Sequence, residues 1–161
     1  MEIEVVVEVP TGSRNKYEID RESGKIYLDR QLFTSTRYPT DYGFIDGTEG
    51  EDGDPLDALV AVGEPTFPGC RIRCRPLGVF WMWDEKGPDA KVLAVPVWER
   101  QREWMELDHV PRQLLLEIQH FFTVYKDLEE GKWTRVGDWG DRARAEEEIG
   151  RAEDRYTTRH R

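Results

Sequence analysis

The chain has 161 residues, of which 33 are acidic and 23 are basic, and its formal net charge at pH 7 is -10. A chain of this length can bury a sizeable core, so we expect one domain over residues 1–161. Phosphate backbones and anionic lipids attract basic surfaces, and this charge therefore argues against nucleic acid or a membrane as partner. With no leader pattern and no apolar run of about 18 residues, the sequence predicts a cytoplasmic protein.

Apolar residues at every second position predict a strand over residues 2–9, with Glu8 near its end. A glutamate at such a position is exposed in most proteins. A proline and a glycine then end this strand before a predicted hairpin, whose strands lie around residues 14–19 and 25–28. The chain is therefore predicted to open as a meander.

The middle of the chain predicts three more strands. The apolar run at residues 58–62 is typical of a short buried strand, and residues 71–83 predict a long strand with a bulge at 76–78. Residues 84–91 are predicted to form a turn that leads into a strand at 92–97. Many short strands separated by turn signals favour a closed or nearly closed barrel.

The period of the apolar residues changes in the last third of the chain. Steps of three and four residues predict an amphipathic helix over residues 111–128, lying against the barrel and ending before Gly131. A weaker stripe predicts a final helix over residues 141–157, and residues 157–161 are expected to fray. The fold class is therefore predicted as α+β and mainly β, with two C-terminal helices beside a barrel.

The segment Asp52-Gly53-Asp54-Pro55-Leu56-Asp57 places three carboxylates within six residues. Gly53 permits unusual backbone conformations and Pro55 restricts Asp54 to an extended one, so the loop can hold its carboxylates in one shape. No Lys or Arg occurs in residues 39–69 to neutralise the loop. The clustered carboxylates repel each other, and hard divalent cations, which prefer oxygen ligands, would relieve this repulsion.

A solvated acidic turn is the ordinary explanation of such a cluster. An EF-hand is excluded by spacing, since a loop starting at Asp52 has Asp57 where glycine is required and Gly63 where glutamate is required. The acidic segment leads directly into a predicted buried strand, which favours a rigidly anchored metal loop over a mobile turn.

A second acidic segment, containing Asp84 and Asp89, follows the long predicted strand. A barrel can bring both acidic loops to one end, where two or more Mg²⁺ ions about 3.5–4 Å apart would activate a water. Six side chains near the ends of predicted elements could bind a polyanion there: Lys16, Arg30, Lys91, Lys126, Tyr42 and Tyr125. Motifs for phosphate loops, dinucleotide binding and serine nucleophiles are absent from the sequence, so the pattern indicates metal-assisted hydrolysis of a small phosphate compound.

These residues resemble those of the soluble family I inorganic pyrophosphatases of the short prokaryotic type. The hexapeptide that begins at Asp52 matches the family signature, and the similarity extends over roughly residues 5–140, including 41–44 and 120–127. The resemblance implies an inorganic diphosphatase that hydrolyses pyrophosphate to two orthophosphates with Mg²⁺, without a covalent intermediate, and with Mn²⁺ or Zn²⁺ as substitutes. It also implies a five-stranded OB-like barrel flanked by helices, and a homohexamer.

The resemblance further implies roles for individual residues. The activating metals would be held by Asp52, Asp57 and Asp89, and the metals that arrive with the substrate by Asp84, Asp89 and Glu8. The phosphates would be bound by Lys16, Arg30, Tyr42, Lys91, Tyr125 and Lys126, while Glu18 and Tyr38 would line the site. For the base that accepts a proton from the attacking water we favour Asp54, with Asp89 as the alternative.

Two other classes of function stay open on the sequence alone. An OB-like barrel could be a non-catalytic module that binds Ca²⁺ or a nucleotide, because this type of barrel also binds oligonucleotides. A two-metal enzyme could instead act on nucleoside di- or triphosphates. Comparing pyrophosphate with a nucleoside triphosphate as substrate would separate these possibilities.

Overall fold

The computed structural model describes residues 1–161 as eight strands, two α-helices and one 3-10 turn. The strands are β1 (Ile3–Val9), β2 (Asn15–Ile19), β3 (Ile26–Gln31), β4 (Asp41–Ile45), β5 (Asp57–Val60), β6 (Arg71–Asp84), β7 (Gly87–Pro96) and β8 (Thr134–Gly140). The helices are α1 (Arg112–Val124) and α2 (Arg142–Arg159), and the 3-10 turn is Leu107–His109. No helix has a stretch long and apolar enough to cross a membrane.

Five strands close into a ring. Their order is β1, β4, β5, β7 and β6, and β6 pairs again with β1, while β8 extends the sheet on the other edge of β6. Only β5 and β7 are parallel. The predicted α+β fold with a closed five-stranded arrangement and two C-terminal helices is confirmed, and its likeness to an OB fold stays a prediction.

Alternate residues of the strands pack into two separate apolar clusters. Ala58 and Val60 of β5 belong to a cluster that is completed by Ala145, Ile149 and Ala152 of α2. Between them in sequence, Leu59 belongs to the other cluster, which is completed by Ile118, Phe121 and Phe122 of α1. Each helix therefore covers a different face of the strands, as the period of two along β5 requires.

The predicted opening meander is wrong. Strand β1 pairs with β4 on one edge and with β6 on the other, so neither edge is left for β2. The strands β2 and β3 instead form a two-stranded sheet of their own, and almost all residues of β3 are exposed. The alternation in the sequence identified the strands, but it contained no information on which partner each would take.

The predicted turn at residues 84–91 is also wrong in extent. Asp84 pairs directly with Gly87, whose φ of 111° suits a tight reversal, and β7 begins there. Asp89 and Lys91 consequently lie within a strand rather than in a loop. The predicted bulge is confirmed, because the β6–β7 register shifts between Pro76 and Gly78.

In the last third, the structure changes the predicted ends of both helices and adds one strand. Helix α1 ends at Val124, earlier than the predicted 128, and the chain turns before Gly131. Strand β8 was not predicted, because its seven residues include two glycines and only a weak apolar alternation. The final helix is confirmed, but it continues to Arg159, so the predicted fraying from residue 157 is wrong. Asp141 caps it by accepting a hydrogen bond from the Arg144 amide at 3.0 Å.

Gly43 provides a test of the close pairing between β1 and β4. A Cβ at this position would lie 1.9 Å from the backbone oxygen of Val6, so the two strands would have to separate. We expect Gly43→Ala to lower the free energy of unfolding by about 3 kcal/mol, as overpacking of backbone does. Gly150→Ala, in open space within α2, should raise it by about 0.5–1 kcal/mol. Urea denaturation measures both, and an unaffected Gly43→Ala protein would contradict this strand pairing.

Candidate active site

Lys91 lies at the centre of a buried charged cluster. Its ammonium nitrogen lies 2.8 Å from Asp57 Oδ2, 2.8 Å from Asp89 Oδ2 and 2.8 Å from the Tyr42 hydroxyl. The Tyr42 hydroxyl in turn donates to Asp57 Oδ2 at 2.9 Å. Only 2% of the Lys91 side chain is exposed, so its three N–H donors are all used inside the protein.

Strand register explains why these residues meet. The parallel pairing of β5 with β7 sets Asp57 opposite Lys91, and Asp89 precedes Lys91 by two positions on the same face of β7. The acidic segment contains no Lys or Arg of its own, yet Lys91 of β7, which is distant in sequence, pairs with its Asp57. Lys91 was one of the four cations expected to converge on the acidic site, and it does pair with Asp57.

Burial and the paired charges shift the pKa values of this cluster. Burial alone would lower the pKa of Lys91, but Asp57 and Asp89 raise it well above its usual value. Burial, and then the charge of Asp57, raise the pKa of Asp89 to about 6. Burial also raises the pKa of Tyr42 well above its usual value. At neutral pH, Lys91 is therefore a cation and Tyr42 keeps its proton.

The acidic loop reaches this cluster from two sides. Asp52 and Asp89 line one cavity of about 10 Å³, and burial together with the charge of Asp89 raises the pKa of Asp52. On the other side, Asp54 and Asp57 line a larger cavity of about 360 Å³, together with Glu8. Asp52 therefore shares a cavity with Asp89, and Asp57 meets Asp89 at Lys91, while a common metal site for the three stays a prediction.

The larger cavity is closed on one side by the β2–β3 hairpin. Lys16 and Glu18 of β2 line it, and the Lys16 ammonium is 2.7 Å from Glu18 and 3.2 Å from Asp29. Glu8 connects the ring to this hairpin, because its Oε2 accepts a hydrogen bond from the Ile19 amide at 2.9 Å. Burial raises the pKa of Glu8 to about 7, although this backbone hydrogen bond acts in the opposite direction.

A second pair of charges lies at the end of β6. The Lys126 ammonium, on the turn after α1, is 3.1 Å from Asp84 Oδ2. Burial alone would raise the pKa of Asp84, but hydrogen bonds from the Lys86 amide and from Lys126 lower it. Tyr125 lies near both the Lys91 cluster and the Lys126–Asp84 pair, so the charges of Lys91, Asp89 and Asp84 all act on its hydroxyl. Burial is the largest influence, and it raises the pKa of Tyr125 above its usual range.

Two predicted substrate residues have surroundings that the sequence did not indicate. Arg30 pairs with Asp29 at 2.6 Å and with Glu129 at 2.9 Å, rather than with the acidic loop. Tyr38 is 2% exposed and packs against Tyr42, with ring centroids 5.4 Å apart. The predicted convergence of four cations on the acidic loop is therefore incomplete, since Arg30 pairs with these two other carboxylates.

Sequence reasoning missed the side chains that hold the site residues in place. Asp29 could have been suspected, since it precedes Arg30 and lies across the predicted hairpin from Lys16. Glu129 had no such signal, because its partner on β3 is far away in sequence.

The C-terminal helix holds the start of the acidic loop. The Glu49 amide donates to the Ala152 carbonyl at 2.9 Å, and Arg155 donates to the Glu49 carbonyl at 3.1 Å. Arg159 forms an ion pair with the Glu49 side chain. This last segment carries no recognisable motif, so its contact with the loop could not be predicted from the sequence.

The donor atoms fit a hard divalent cation, although no group of three or more His, Cys, Asp or Glu side chains has the arrangement of a metal site. Asp57 and Asp89 direct their Oδ2 atoms at one cation, the Lys91 ammonium, each at 2.8 Å. Mg²⁺ is usually bound by one or two carboxylates, with waters and substrate phosphates as the remaining ligands. This pair, with Asp52 beside it, can supply the protein's share of such a site.

Comparison with known proteins identifies the family. A family model described as inorganic pyrophosphatase matches residues 5–157. The chain belongs to the inorganic pyrophosphatase family. An inorganic pyrophosphatase of Streptomyces coelicolor is 59% identical over 157 residues, which are 97% of this chain and 96% of the relative. One of Corynebacterium glutamicum is 54% identical over 156 residues, covering 97% and 99% of the two chains.

Solved structures agree with this assignment. The crystal structure of inorganic pyrophosphatase from Thermus thermophilus has a TM-score of 0.94 and 46% identity, covering 97% of this chain and 91% of that one. The prediction that this chain is an inorganic diphosphatase is thus confirmed at the level of the family. Membership is also in keeping with a divalent metal cofactor.

The pKa of Glu8 predicts how the stability of the metal-free pyrophosphatase depends on pH. Its folded pKa of about 7 lies above the value of 4.5 for a free side chain, so the folded state holds a proton that the unfolded state has lost. The stabilisation by the protonated Glu8 side chain is complete below the free value of 4.5, and it disappears as the pH rises through the folded pKa of about 7. Between about pH 5 and pH 8, the wild type should lose about 1–3 kcal/mol more stability than Glu8→Gln.

Urea denaturation in the presence of a chelator measures this difference. Glu2→Gln, which changes an exposed glutamate on the same stretch of chain, should keep the pH dependence of the wild type. An equal slope with pH in the wild type and in Glu8→Gln would show that Glu8 does not hold this proton.

Proposed function

We propose that this pyrophosphatase hydrolyses inorganic pyrophosphate to two orthophosphates, with Mg²⁺ as cofactor, by attack of a water and without a covalent intermediate. The observation that carries the proposal is the joint pairing of Asp57 and Asp89 with the buried Lys91. Asp57 and Asp89 flank the Lys91 ammonium, and Asp57 also lines the larger cavity together with Lys16 and Asp54. A complex of metal and phosphate carries both signs of charge and is complementary to such a site.

The metals would be held by the carboxylates that converge on the cluster. Asp52, Asp57 and Asp89 would bind the activating ions, and Asp84, Asp89 and Glu8 those that enter with the substrate. When bound, such ions lower the pKa of a coordinated water and stabilise charge on phosphoryl oxygens. Mn²⁺ and Zn²⁺ also accept carboxylate ligands, so we propose that they can substitute for Mg²⁺.

The phosphates would be bound by cations and tyrosines, of which Lys16 and Tyr42 line the larger cavity. These side chains are Lys16, Arg30, Tyr42, Lys91, Tyr125 and Lys126, and Glu18 and Tyr38 would line the site. Tyr125 supports this proposal because its raised pKa keeps the hydroxyl protonated, so that it can donate a hydrogen bond to a phosphate oxygen. Lys91 and Lys126 are already cations in the free protein and need only exchange a carboxylate for a phosphate oxygen.

Asp54 is the proposed base. It is exposed at the edge of the larger cavity and takes no part in an ion pair, whereas Asp57 and Asp89 both pair with Lys91. A carboxylate that is free of such a partner can accept a proton from a nearby water without losing an existing contact. Asp89 remains the alternative, since its pKa of about 6 is nearer to neutral pH.

The homohexamer and the cytoplasmic location are parts of the same proposal. Three consecutive apolar residues of β3 are about half exposed, which suits an interface between copies: Ile26, Tyr27 and Leu28. Two free cysteines suit a reducing compartment. Light scattering on the purified protein and fractionation of cells would test these two points.

Phosphate release from pyrophosphate tests the function directly. With Mg²⁺ present we expect turnover of pyrophosphate to exceed that of a nucleoside triphosphate, because every proposed substrate residue is assigned to phosphate or metal and none to a nucleoside. An excess of chelator should abolish the activity. Activity that is indifferent to the chelator would refute the metal-assisted reaction.

Asp54→Asn tests the assignment of the base. The amide cannot accept the proton, so we expect kcat to fall on the order of 10²–10⁴-fold while the affinity for Mg²⁺ changes little. Glu51→Gln, which changes a neighbouring exposed carboxylate of the same loop, should keep kcat near the wild-type value. Normal turnover of Asp54→Asn at saturating Mg²⁺, with weaker metal binding, would make Asp54 a ligand only.

A further inference from the structure

The β2–β3 hairpin carries three of the side chains proposed to meet the substrate, yet it is not part of the ring. Lys16 and Glu18 lie in β2 and Arg30 lies in β3, and the two strands pair only with each other. The side chains of β3 are nearly all exposed, so apolar packing contributes little to the position of this strand. Within one chain, the buried Leu32 anchors the end of β3, and the orientation of the Arg30 side chain depends on its polar contacts.

Arg30 is paired with carboxylates on two sides. Its Nη1 lies 2.6 Å from Asp29 Oδ2, and its Nε lies 2.9 Å from Glu129 Oε1. Asp29 belongs to the same strand and moves with it. Glu129 belongs to the turn after α1, and it therefore ties Arg30 to another part of the fold.

Glu129 is 9% exposed, which is unusual for a glutamate. The Arg30 Nε makes no well-aligned hydrogen bond, so its 2.9 Å contact with Glu129 Oε1 is an ion pair of imperfect geometry, and Glu129 Oε2 is buried without a partner. A buried charge with an unused oxygen costs free energy, and such pairs are often no better for stability than apolar residues. Stability alone is therefore a weak reason for a glutamate at this position.

The turn that contains Glu129 also carries Tyr125 and Lys126. The Glu129 amide donates to the Lys126 carbonyl at 2.9 Å, so the backbone links the two residues closely. We propose that Glu129 is a positioning residue, which orients Arg30 and keeps the hairpin in place against the turn of Tyr125 and Lys126. This inference rests on the proposed function, because it takes Arg30 as a ligand of the substrate phosphates.

Two effects of the Glu129 carboxylate oppose each other. Its negative charge weakens the attraction of Arg30 for phosphate, whereas its contact holds the guanidinium in one orientation. If orientation dominates, removing the carboxylate weakens substrate binding. If charge dominates, removing it strengthens binding, so the sign of the change separates the two effects.

Steady-state kinetics of Glu129→Ala with magnesium pyrophosphate provide the test. We expect KM to rise on the order of tenfold, with a smaller change in kcat, because an interaction that orients a binding group is lost. Glu130→Ala removes the same charge from the adjacent, exposed glutamate and should leave KM near the wild-type value. In an Arg30→Lys background, Glu129→Ala should add little, since the two residues act as one unit.

A KM for Glu129→Ala that equals that of Glu130→Ala, or that falls below the wild-type value, overturns the proposal. If Glu129→Ala does not fold, Glu129→Asp replaces it, because the charge is kept while the carboxylate moves back by one methylene. An unchanged KM in Glu129→Asp then overturns the proposal as well. If the wild type lacks Mg²⁺-dependent hydrolysis of pyrophosphate, the proposed function fails instead, and calorimetry with inorganic phosphate tests Arg30 and Glu129 through the same variants.

Discussion

The buried ammonium of Lys91 is the interaction on which the rest of this structure depends. A charge in the interior is tolerated only when it is paired, and removing one partner of a buried pair typically costs about 3–5 kcal/mol. Because Asp57 of β5 pairs with Lys91 of β7, this ion pair favours the observed register of the two strands, and Asp89 joins it from within β7. The same requirement that specifies the strand pairing also arranges the carboxylates of the site.

The two kinds of charge in the site come from different parts of the fold. Most of the carboxylates lie on the ring or on the acidic loop between β4 and β5, where the backbone is held by neighbouring strands. Several cations lie outside the ring, on the β2–β3 hairpin and on the turn after α1. The ring therefore positions most of the carboxylates, whereas segments outside the ring position several of the cations.

Local structure could be predicted from the sequence, whereas the pairing of strands and side chains that are distant in sequence could not. The acidic hexapeptide, the bulge near Pro76 and the final helix were predictable because glycine, proline and apolar periodicity act over a few residues. The hairpin was assigned to the wrong sheet, since both edges of β1 are taken by strands distant in sequence. Partners such as Glu129 for Arg30 depend on the assembled fold, and the resemblance to a family did not reveal them.

The contact between α2 and Glu49 links the last helix to the start of the acidic loop. Arg155 and Arg159 lie in the last turns of the helix, and they restrain the junction from which the acidic loop starts. The backbone of the loop therefore depends on a helix that lies about a hundred residues further along the chain, so a substitution of either arginine would reach the loop without changing any residue in it.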